Sequence, residues 1–291
     1  MRTRFAPSPT GPLHLGHAYS ALLASDIARR AGGTLVLRIE DIDRSRARPE
    51  WEAQIVSDLT WLGVIDGSGT TKQASSLFRQ SDRLPAYRRG LDRLWARGLL
   101  YPCTCRRRDI EAAAAAPQEG ARMIGPDGLV YPGTCRPSEP PHGSLPDGVL
   151  RLDMARALDT LGISRLSYRE TGIVPAVERS RAEMIEGVGD VVVARRDMGT
   201  SYHLSVVVDD SAQNISHVIR GADLAEATPI HVLLQRLLGY DTPEYHHHRL
   251  IRDMAGKRLA KRDDARAIAL FRSEGKSPDD IRAMVNLPQA S

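Results

Sequence analysis

Two histidines follow a proline- and glycine-rich turn near the start of the chain, in residues 7–17, which read PSPTGPLHLGH. The turn stands between a predicted strand and a predicted helix, whose N-terminus would supply unpaired N–H groups and partial positive charge that favour phosphate. His14 and His17 are three residues apart, so both can donate from one helical face, and Gly16 would let a flat base approach the backbone. These residues are typical of a nucleotide site, although a proline-rich turn followed by surface histidines also fits the pattern.

Two arginines and one glutamate have the charges that a dicarboxylic amino acid would need. Such a ligand carries two carboxylates and one ammonium, and Arg4 and Arg220 can each bind a carboxylate through two N–H groups. Glu40 follows a predicted strand at its C-terminal end, where ligands of α/β proteins usually bind, and would pair with the ammonium. Taken singly, each residue could equally form a surface salt bridge. Which arginine would take which carboxylate is open.

All three cysteines fall between residues 101 and 148, a stretch rich in glycine and proline. Cys103 and Cys105 form a Cys-x-Cys pair and Cys135 stands far from it, which is a weak metal pattern that favours unrelated thiols. Three adjacent histidines, residues 246–248, are a second tempting cluster. Neighbours in a strand point to opposite faces, so we expect these histidines to have a structural role.

The elements that must position these residues alternate between strands and helices. Apolar periodicity and Gly or Pro punctuation predict strands over residues 2–6, 34–39, 190–194 and 215–220, helices over 16–31, 49–62 and 224–238, and two short C-terminal helices separated by residues 275–278. Short strand–helix–strand connections predict a parallel α/β sheet. The change of texture after residue 100 predicts a small insertion between the two halves of that sheet.

Length and composition limit the class of protein. A chain of 291 residues, 42% hydrophobic and 26% charged, can bury a core and form roughly two domains. The formal net charge is +4, and residues 249–266 are rich in arginine and lysine, which suits a nucleic acid or a solvated face. We find neither a membrane-spanning apolar run nor a secretory signal, so we expect a cytoplasmic protein without a membrane partner.

Several blocks together resemble one family. Residues 4–11 with 14–17 resemble the signature of the glutamyl- and glutaminyl-tRNA synthetases of class I, and residues 38–43, 195–204 and 207–210 look like its next segments. Residues 258–262 are similar to its second ATP motif, with Arg258 and Ala260 in place of the usual lysine and serine. The resemblance implies a Rossmann-type catalytic domain with an inserted zinc-containing subdomain and a short helical C-terminal region. It implies catalysis by His14, His17 and Lys261, ATP binding by His14, Gly16, His17, Arg258 and Lys261, and glutamate binding by Arg4, Ser8, Glu40, Tyr202 and Arg220.

Only residues 263–291 follow the second ATP motif, and so short an end resembles a truncated branch of the family, the glutamyl-Q tRNA(Asp) synthetases. That branch implies activation of L-glutamate by ATP and Mg²⁺ without tRNA, and transfer to the queuosine base in the anticodon of tRNA(Asp). It also implies a monomer with structural Zn²⁺ on Cys103, Cys105, Tyr131 and Cys135. The expected divisions are residues 1–100 and 190–248 for the catalytic halves, 101–189 for the insertion and 249–291 for the ATP-motif loop and helices.

Three alternatives stay open. A truncated glutamyl-tRNA synthetase could charge tRNA(Glu), an inactive paralogue could only bind tRNA, and another adenylate-forming nucleotidyltransferase could act on a small molecule without RNA. Ala260, which lacks the hydroxyl of the motif's serine, is the hint toward inactivity. The set of Arg4, Glu40, Tyr202 and Arg220 argues against the small-molecule enzyme because those residues suit glutamate.

Overall fold

The computed structural model describes residues 1–66, 78–114, 124–174, 178–251 and 266–289. Its strands are β1 (Arg2–Phe5), β2 (Thr34–Ile39), β3 (Phe78–Arg79), β4 (Leu100–Pro102), β5 (Ile124–Gly125), β6 (Gly128–Leu129), β7 (Leu150–Leu152), β8 (Arg165–Ser167), β9 (Glu178–Ser180), β10 (Val192–Ala194), β11 (His217–Gly221) and β12 (Glu244–His248). Its α-helices are α1 (Leu15–Arg30), α2 (Pro49–Trp61), α3 (Leu84–Ala96), α4 (Arg107–Ala114), α5 (Met154–Leu161), α6 (Tyr202–Ala212), α7 (Thr228–Leu238), α8 (Ile268–Ser273) and α9 (Pro278–Met284). Short 3₁₀ turns cover Gln80–Arg83 and Ala222–Leu224, and a π-helical turn covers Glu183–Val188.

Parallel strands form the part of the fold that carries the motif residues. Strand β2 pairs in parallel with both β1 and β3, and β11 pairs in parallel with β12. The two sheets meet at the start of β1, where the Ser216 N–H donates to the Arg2 carbonyl at 3.0 Å. Parallel strands need a long crossover, and α1 provides it between β1 and β2. The predicted parallel α/β arrangement is therefore confirmed for these strands.

The predicted segment at residues 190–194 is a strand, but the parallel sheet does not continue there. Strand β10 pairs antiparallel with β7, which also pairs antiparallel with β4. Strand β7 is covered on both faces, since Leu150 and Leu152 are at most 1% exposed and Arg151, which points to the other face, is 8% exposed. Pairing with β7 therefore decides the direction of β10, and residues that are distant in sequence supply that pairing.

The start of α7 is the clearest error in the predicted helices. The helix expected over residues 224–238 begins only at Thr228, because Ala222–Leu224 forms a 3₁₀ turn instead. A proline occupies the first turn of α7, where its missing N–H leaves no helical bond unmade. Most other helix and strand limits lie within two residues of the prediction. None of the helices that the structure describes is long and apolar enough to cross a membrane.

Candidate active site

A cavity of about 890 Å³ opens where β1, β2, β11 and β12 end. It is lined by the eight motif residues that the structure describes, Arg4, Ser8, His14, Gly16, His17, Glu40, Tyr202 and Arg220. The cavity thus joins residues as far apart in the chain as Arg4 and Arg220, as expected for ligand sites at the C-terminal ends of parallel strands. Arg258 and Lys261 lie outside the described residues, so their predicted ATP contacts stay predictions.

The two histidines form the N-terminal cap of α1. The Gly16 N–H donates to His14 Nδ1 at 3.1 Å, and the His14 N–H donates to His17 Nδ1 at 3.2 Å. A neutral ring whose Nδ1 accepts carries its proton on Nε2, which makes each Nε2–H a donor for phosphate oxygen. A side chain at Gly16 would stand 2.9 Å from His14 Cε1, so glycine is needed here to leave room for the capping ring. The cap itself therefore orients both histidines.

A buried ionic cluster lies behind the cavity. Asp210 Oδ1 accepts from Arg4 Nε at 3.0 Å and from Arg38 at 2.7 Å, and Arg38 also donates to Glu40 at 3.3 Å. Burial acts against ionisation of Asp210, but the charges of Arg4 and Arg38 hold its pKa below the ordinary value. Arg38 and Asp210 stand in motif segments, but neither was predicted as a site residue. Arg4 therefore reaches the cavity with part of its charge already matched.

Glu40 is the cavity carboxylate that was predicted to pair with the ligand ammonium. It follows β2, and its N–H donates to the Pro7 carbonyl at 3.0 Å, which ties the end of β2 to the turn before α1. Burial raises the pKa of Glu40, while the cations Arg38 and Arg4 oppose that change. A carboxylate that is costly to keep charged in a buried cavity gains from a ligand cation beside it.

Arg220 is only 5% exposed, and its partners among the described residues are all neutral groups. Its guanidinium donates to His231 and His247 at 3.2 Å and to Thr228 Oγ1 at 2.7 Å. Burial, followed by the charge of Arg220, lowers the pKa of both histidines, that of His247 to about 4. A buried cation held only by neutral acceptors is costly on its own and favours an anionic ligand.

Two more motif residues complete the cavity wall. Tyr202 is the first residue of α6, whose N-terminus is capped by the Ser201 side chain. Burial raises the pKa of Tyr202, so its hydroxyl stays protonated and can donate. Ser8 lies at the exposed mouth of the cavity, in the turn that follows β1.

The histidines of residues 246–248 do not form a metal cluster among the residues that the structure describes. They lie in β12, where His246 contacts Thr171 and His247 contacts Arg220 on the opposite side. The expected structural role stays a prediction, and for His247 the structure adds a contact to a cavity arginine. Alternation in a strand predicted the opposite faces; it contained no sign of which face would meet Arg220.

The three cysteines come together beyond β4. Their Sγ atoms lie within 4.8 Å of one another, and Tyr131 Oη lies 3.5 Å from Cys103 Sγ and 3.4 Å from Cys105 Sγ. Four ligands about 2.3 Å from a zinc ion would be separated by about 3.8 Å in a tetrahedron. Arg151 donates to Cys103 Sγ at 3.3 Å and stacks on the Tyr131 ring, so a cation faces the thiols. These residues fit a metal ion, with Cys135 as the third thiol.

A set of hydrogen-bonded residues around Arg220 was not predicted from the sequence. These are Asp127, Glu170, Thr228, His231 and, as a partner of the site, His203. Apart from His203 in the quoted pocket segment, none of them belongs to a motif. The sequence signal for these residues was weak: His231 stands in a predicted helix and His247 in an expected strand. Such a histidine does not show which residue it will contact.

Comparison with known proteins gives a consistent result. A family model described as "tRNA synthetases class I (E and Q), catalytic domain" matches residues 1–124 and 176–287. A glutamyl-Q tRNA(Asp) synthetase of Rhodobacter capsulatus is 60% identical over 99% of this chain and 100% of its own length. One of Symbiobacterium thermophilum is 42% identical over 96% of this chain and 83% of its own length.

A solved structure agrees with these relatives. The crystal structure of a glutamate tRNA ligase from Elizabethkingia meningosepticum, in complex with its amino acid, aligns with a TM-score of 0.74 at 27% identity. The alignment covers 98% of this chain and 60% of that one. Because the family model matches most of the chain and the R. capsulatus relative matches along its whole length, this chain belongs to the class I tRNA synthetases for glutamate and glutamine, in the branch of the glutamyl-Q tRNA(Asp) synthetases.

Proposed function

We propose that this protein uses ATP to convert L-glutamate to glutamyl-adenylate without tRNA, and transfers the glutamate to queuosine in the anticodon of tRNA(Asp), with AMP as the leaving group. The observation that carries the proposal is the buried Arg220 guanidinium, which has neutral partners and lines the same cavity as Glu40 and the capped histidines of α1. The names of the relatives that match the chain along most of its length support the tRNA(Asp) acceptor.

Glutamate would be held by charges of both signs. Arg220 and the terminal N–H groups of Arg4 would bind the two carboxylates, since Arg4 meets Asp210 through Nε. Glu40 would bind the ammonium, and the hydroxyls of Tyr202 and Ser8 would donate to the ligand. Two cations and one anion match the charge of glutamate, whereas glutamine would leave one cation without a partner.

Activation needs no protein nucleophile. A carboxylate oxygen of glutamate attacks the α-phosphorus of ATP, the bond to the β-phosphate oxygen breaks, and pyrophosphate leaves. His14 and His17 would donate to phosphate oxygens at the N-terminus of α1, and Arg258 and Lys261 remain predicted ATP ligands on the second motif. Mg²⁺ would arrive with ATP, bound mainly to its phosphates, and would offset their charge.

The first prediction concerns glutamate-dependent exchange of pyrophosphate into ATP in the absence of tRNA. We expect clear exchange with L-glutamate and none with L-aspartate, whose shorter side chain cannot reach both cations at once. Glutamate would then be transferred to tRNA(Asp) that contains queuosine and not to the same tRNA without it. Folded protein that lacks exchange would be the inactive paralogue, and charging of tRNA(Glu) would contradict the proposed acceptor.

We also propose that Cys103, Cys105, Tyr131 and Cys135 hold a structural zinc ion. When bound, zinc would cross-link residues 103–105 to residues 131–135 through a closed set of four ligands. The insertion has little core of its own here, because the cluster around Tyr131 contains few buried apolar side chains. This supports the predicted insertion over residues 101–189, within which the family model leaves residues 125–175 unmatched.

The second prediction is that the purified protein contains one zinc ion per chain and that Cys135→Ala removes it. Loss of the metal should lower the melting temperature by about 5–10 °C, because binding energy in such sites is folding energy. Metal analysis and thermal unfolding measure both effects. Thr134→Ala changes the exposed neighbour of Cys135 and should leave zinc and stability unchanged. Full zinc content in Cys135→Ala would contradict the assigned ligand.

A further inference from the structure

A chain of hydrogen bonds runs from the Arg220 guanidinium to Asp127, an exposed residue that also lines the cavity. Both terminal nitrogens of Arg220 lie 3.2 Å from His231 Nδ1, and His231 Nε2 lies 3.0 Å from His203 Nδ1. His203 Nε2 lies 2.9 Å from Asp127 Oδ1, at the tip of the β5–β6 hairpin. Two imidazoles therefore separate the cation from the carboxylate.

The chemistry of the two end groups fixes the direction of every bond in this chain. A guanidinium can only donate, so His231 Nδ1 accepts and its proton lies on Nε2. His203 Nδ1 then accepts from His231, and His203 Nε2–H donates to Asp127, which as a carboxylate can only accept. Burial acts against ionisation of Asp127, but its bond to His203 and the neighbouring charges lower its pKa. Arg220 and Asp127, at the two ends, thus require the same tautomer of each imidazole, with an accepting Nδ1 and a proton on Nε2.

A second, shorter chain supports the same guanidinium. Arg220 Nε donates to His247 Nε2 at 3.2 Å, and His247 Nδ1 donates to Glu170 Oε2 at 2.5 Å. The other Glu170 oxygen accepts from the backbone N–H groups of His247 and Gly172. A side chain at Gly172 would stand 2.2 Å from the His247 carbonyl, so this loop needs glycine to approach β12.

Both carboxylates come from the part of the chain that the family model does not match. That model covers residues 1–124 and 176–287, whereas Asp127 and Glu170 lie in the gap. Arg220 and the three histidines belong to the matched part. The unmatched segment, residues 125–175, therefore supplies the carboxylate at the end of each of the two hydrogen-bond chains that start at Arg220.

We propose that Asp127 and Glu170 are positioning residues that orient Arg220, through neutral histidines, for a carboxylate of the substrate. The proposal rests on the proposed function, in which Arg220 binds glutamate. A carboxylate in direct contact with Arg220 would neutralise it and compete with the ligand, whereas a carboxylate beyond an imidazole fixes its geometry and leaves its charge for the ligand. Such outer partners are what hold a binding group in its productive orientation.

Asp127 is the residue on which to test this, because its side chain is 41% exposed whereas that of Glu170 is fully buried. We expect Asp127→Ala to weaken binding of L-glutamate about 10-fold, at the lower end of the effect of losing an outer partner at a metal site. Asp127→Asn keeps an acceptor oxygen and should lose less. Isothermal titration of the full-length protein with L-glutamate, and separately with ATP, measures the effects, and ATP affinity should be unchanged.

Asp159→Asn is the matched control, since Asp159 lies in the same unmatched segment and pairs with Arg181 at the surface. It should bind glutamate as the wild type does. Nitrogen-15 NMR of the histidines adds a readout that a merely stabilising role would not move: Asp127→Ala removes the acceptor of the His203 Nε2–H and should shift that nitrogen's resonance in the ligand-free protein, while His231, whose tautomer Arg220 fixes, keeps its proton on Nε2.

Three results would overturn the proposal. These are unchanged glutamate affinity in Asp127→Ala, an equal loss of ATP affinity in that variant, or a wild-type protein that binds no glutamate. Wild-type protein that binds glutamate with the expected loss in Asp127→Ala, yet shows no exchange, would instead contradict the proposed activation step alone. The two failures are therefore distinguishable.

Discussion

Arg220→Gln is expected to lower kcat/KM for L-glutamate in the exchange reaction by about 1000-fold, with KM for ATP nearly unchanged. The variant removes a buried cation that is 5% exposed. Because the described hydrogen-bond partners of Arg220 are neutral, none of them can supply the lost positive charge to the ligand. Removing one partner of a buried, hydrogen-bonded charge pair costs about 2–5 kcal/mol, and every 1.4 kcal/mol is about tenfold. Initial rates of exchange at varied glutamate concentration give the number.

Two further variants make the Arg220 result specific. Arg220→Lys keeps the charge but loses the planar fork that bonds a carboxylate with two N–H groups, so it should fall between wild type and Arg220→Gln. Arg169→Gln removes an arginine that is 72% exposed and pairs with Glu244, and it should behave as wild type. A KM for glutamate in Arg220→Gln within about threefold of wild type would remove the basis of the proposed pocket.

Asp210→Asn is expected to reduce the free energy of unfolding by about 3–5 kcal/mol. Asp210 Oδ1 bonds both Arg4 and Arg38, and the Arg38 side chain is fully buried. Neutralising Asp210 leaves two buried guanidinium groups with Glu40 as the remaining anion of the cluster. Urea unfolding followed by circular dichroism measures the loss, which is a large fraction of the stability of an ordinary domain.

The pH dependence of this difference has a defined sign. The pKa of Asp210 is lowered in the folded protein by Arg4 and Arg38, against the effect of burial. Its contribution is therefore fully present above the unfolded-state pKa of about 3.9 and is lost as the pH falls through the lower, folded value. Wild type and Asp210→Asn should accordingly converge in acid.

Asp92→Asn is the control for the Asp210 experiment. Asp92 pairs with Arg88 on the surface of α3, where its side chain is 52% exposed. Exposed pairs of this kind contribute about 0–1 kcal/mol, so the variant should unfold nearly as the wild type does. An Asp210→Asn protein as stable as Asp92→Asn would show that the buried cluster tolerates an unbalanced charge.

Local elements were predictable because their signals lie within a few residues of each other. The bounds of β2 match the prediction, and the prediction for α1 differs by one residue at each end. The predicted start of α7 was wrong because a 3₁₀ turn of residues 222–224 precedes the helix. Apolar periodicity does not distinguish such a turn from a helix. The predicted parallel direction of β10 was wrong because its antiparallel partner, β7, lies about forty residues away in the chain.

The motifs placed the right residues in one cavity but did not identify what holds them. Arg4 and Asp210 are 206 positions apart, and His203 and Asp127 are 76 positions apart. Hydrogen-bond partners at such separations leave no periodic or spacing signal in a single chain. A buried acceptor such as His231 therefore reads in the sequence as an ordinary residue of an apolar helix.

The amino-acid sequence alone determined the local strands and helices and the set of motif residues that share a cavity. Only the tertiary structure decided that Arg4 is matched by Asp210 while Arg220 faces neutral imidazoles backed by Asp127 and Glu170. The physical reason is that the charge available to a ligand depends on distance through space and on burial. Neither quantity is contained in the order of residues along the chain.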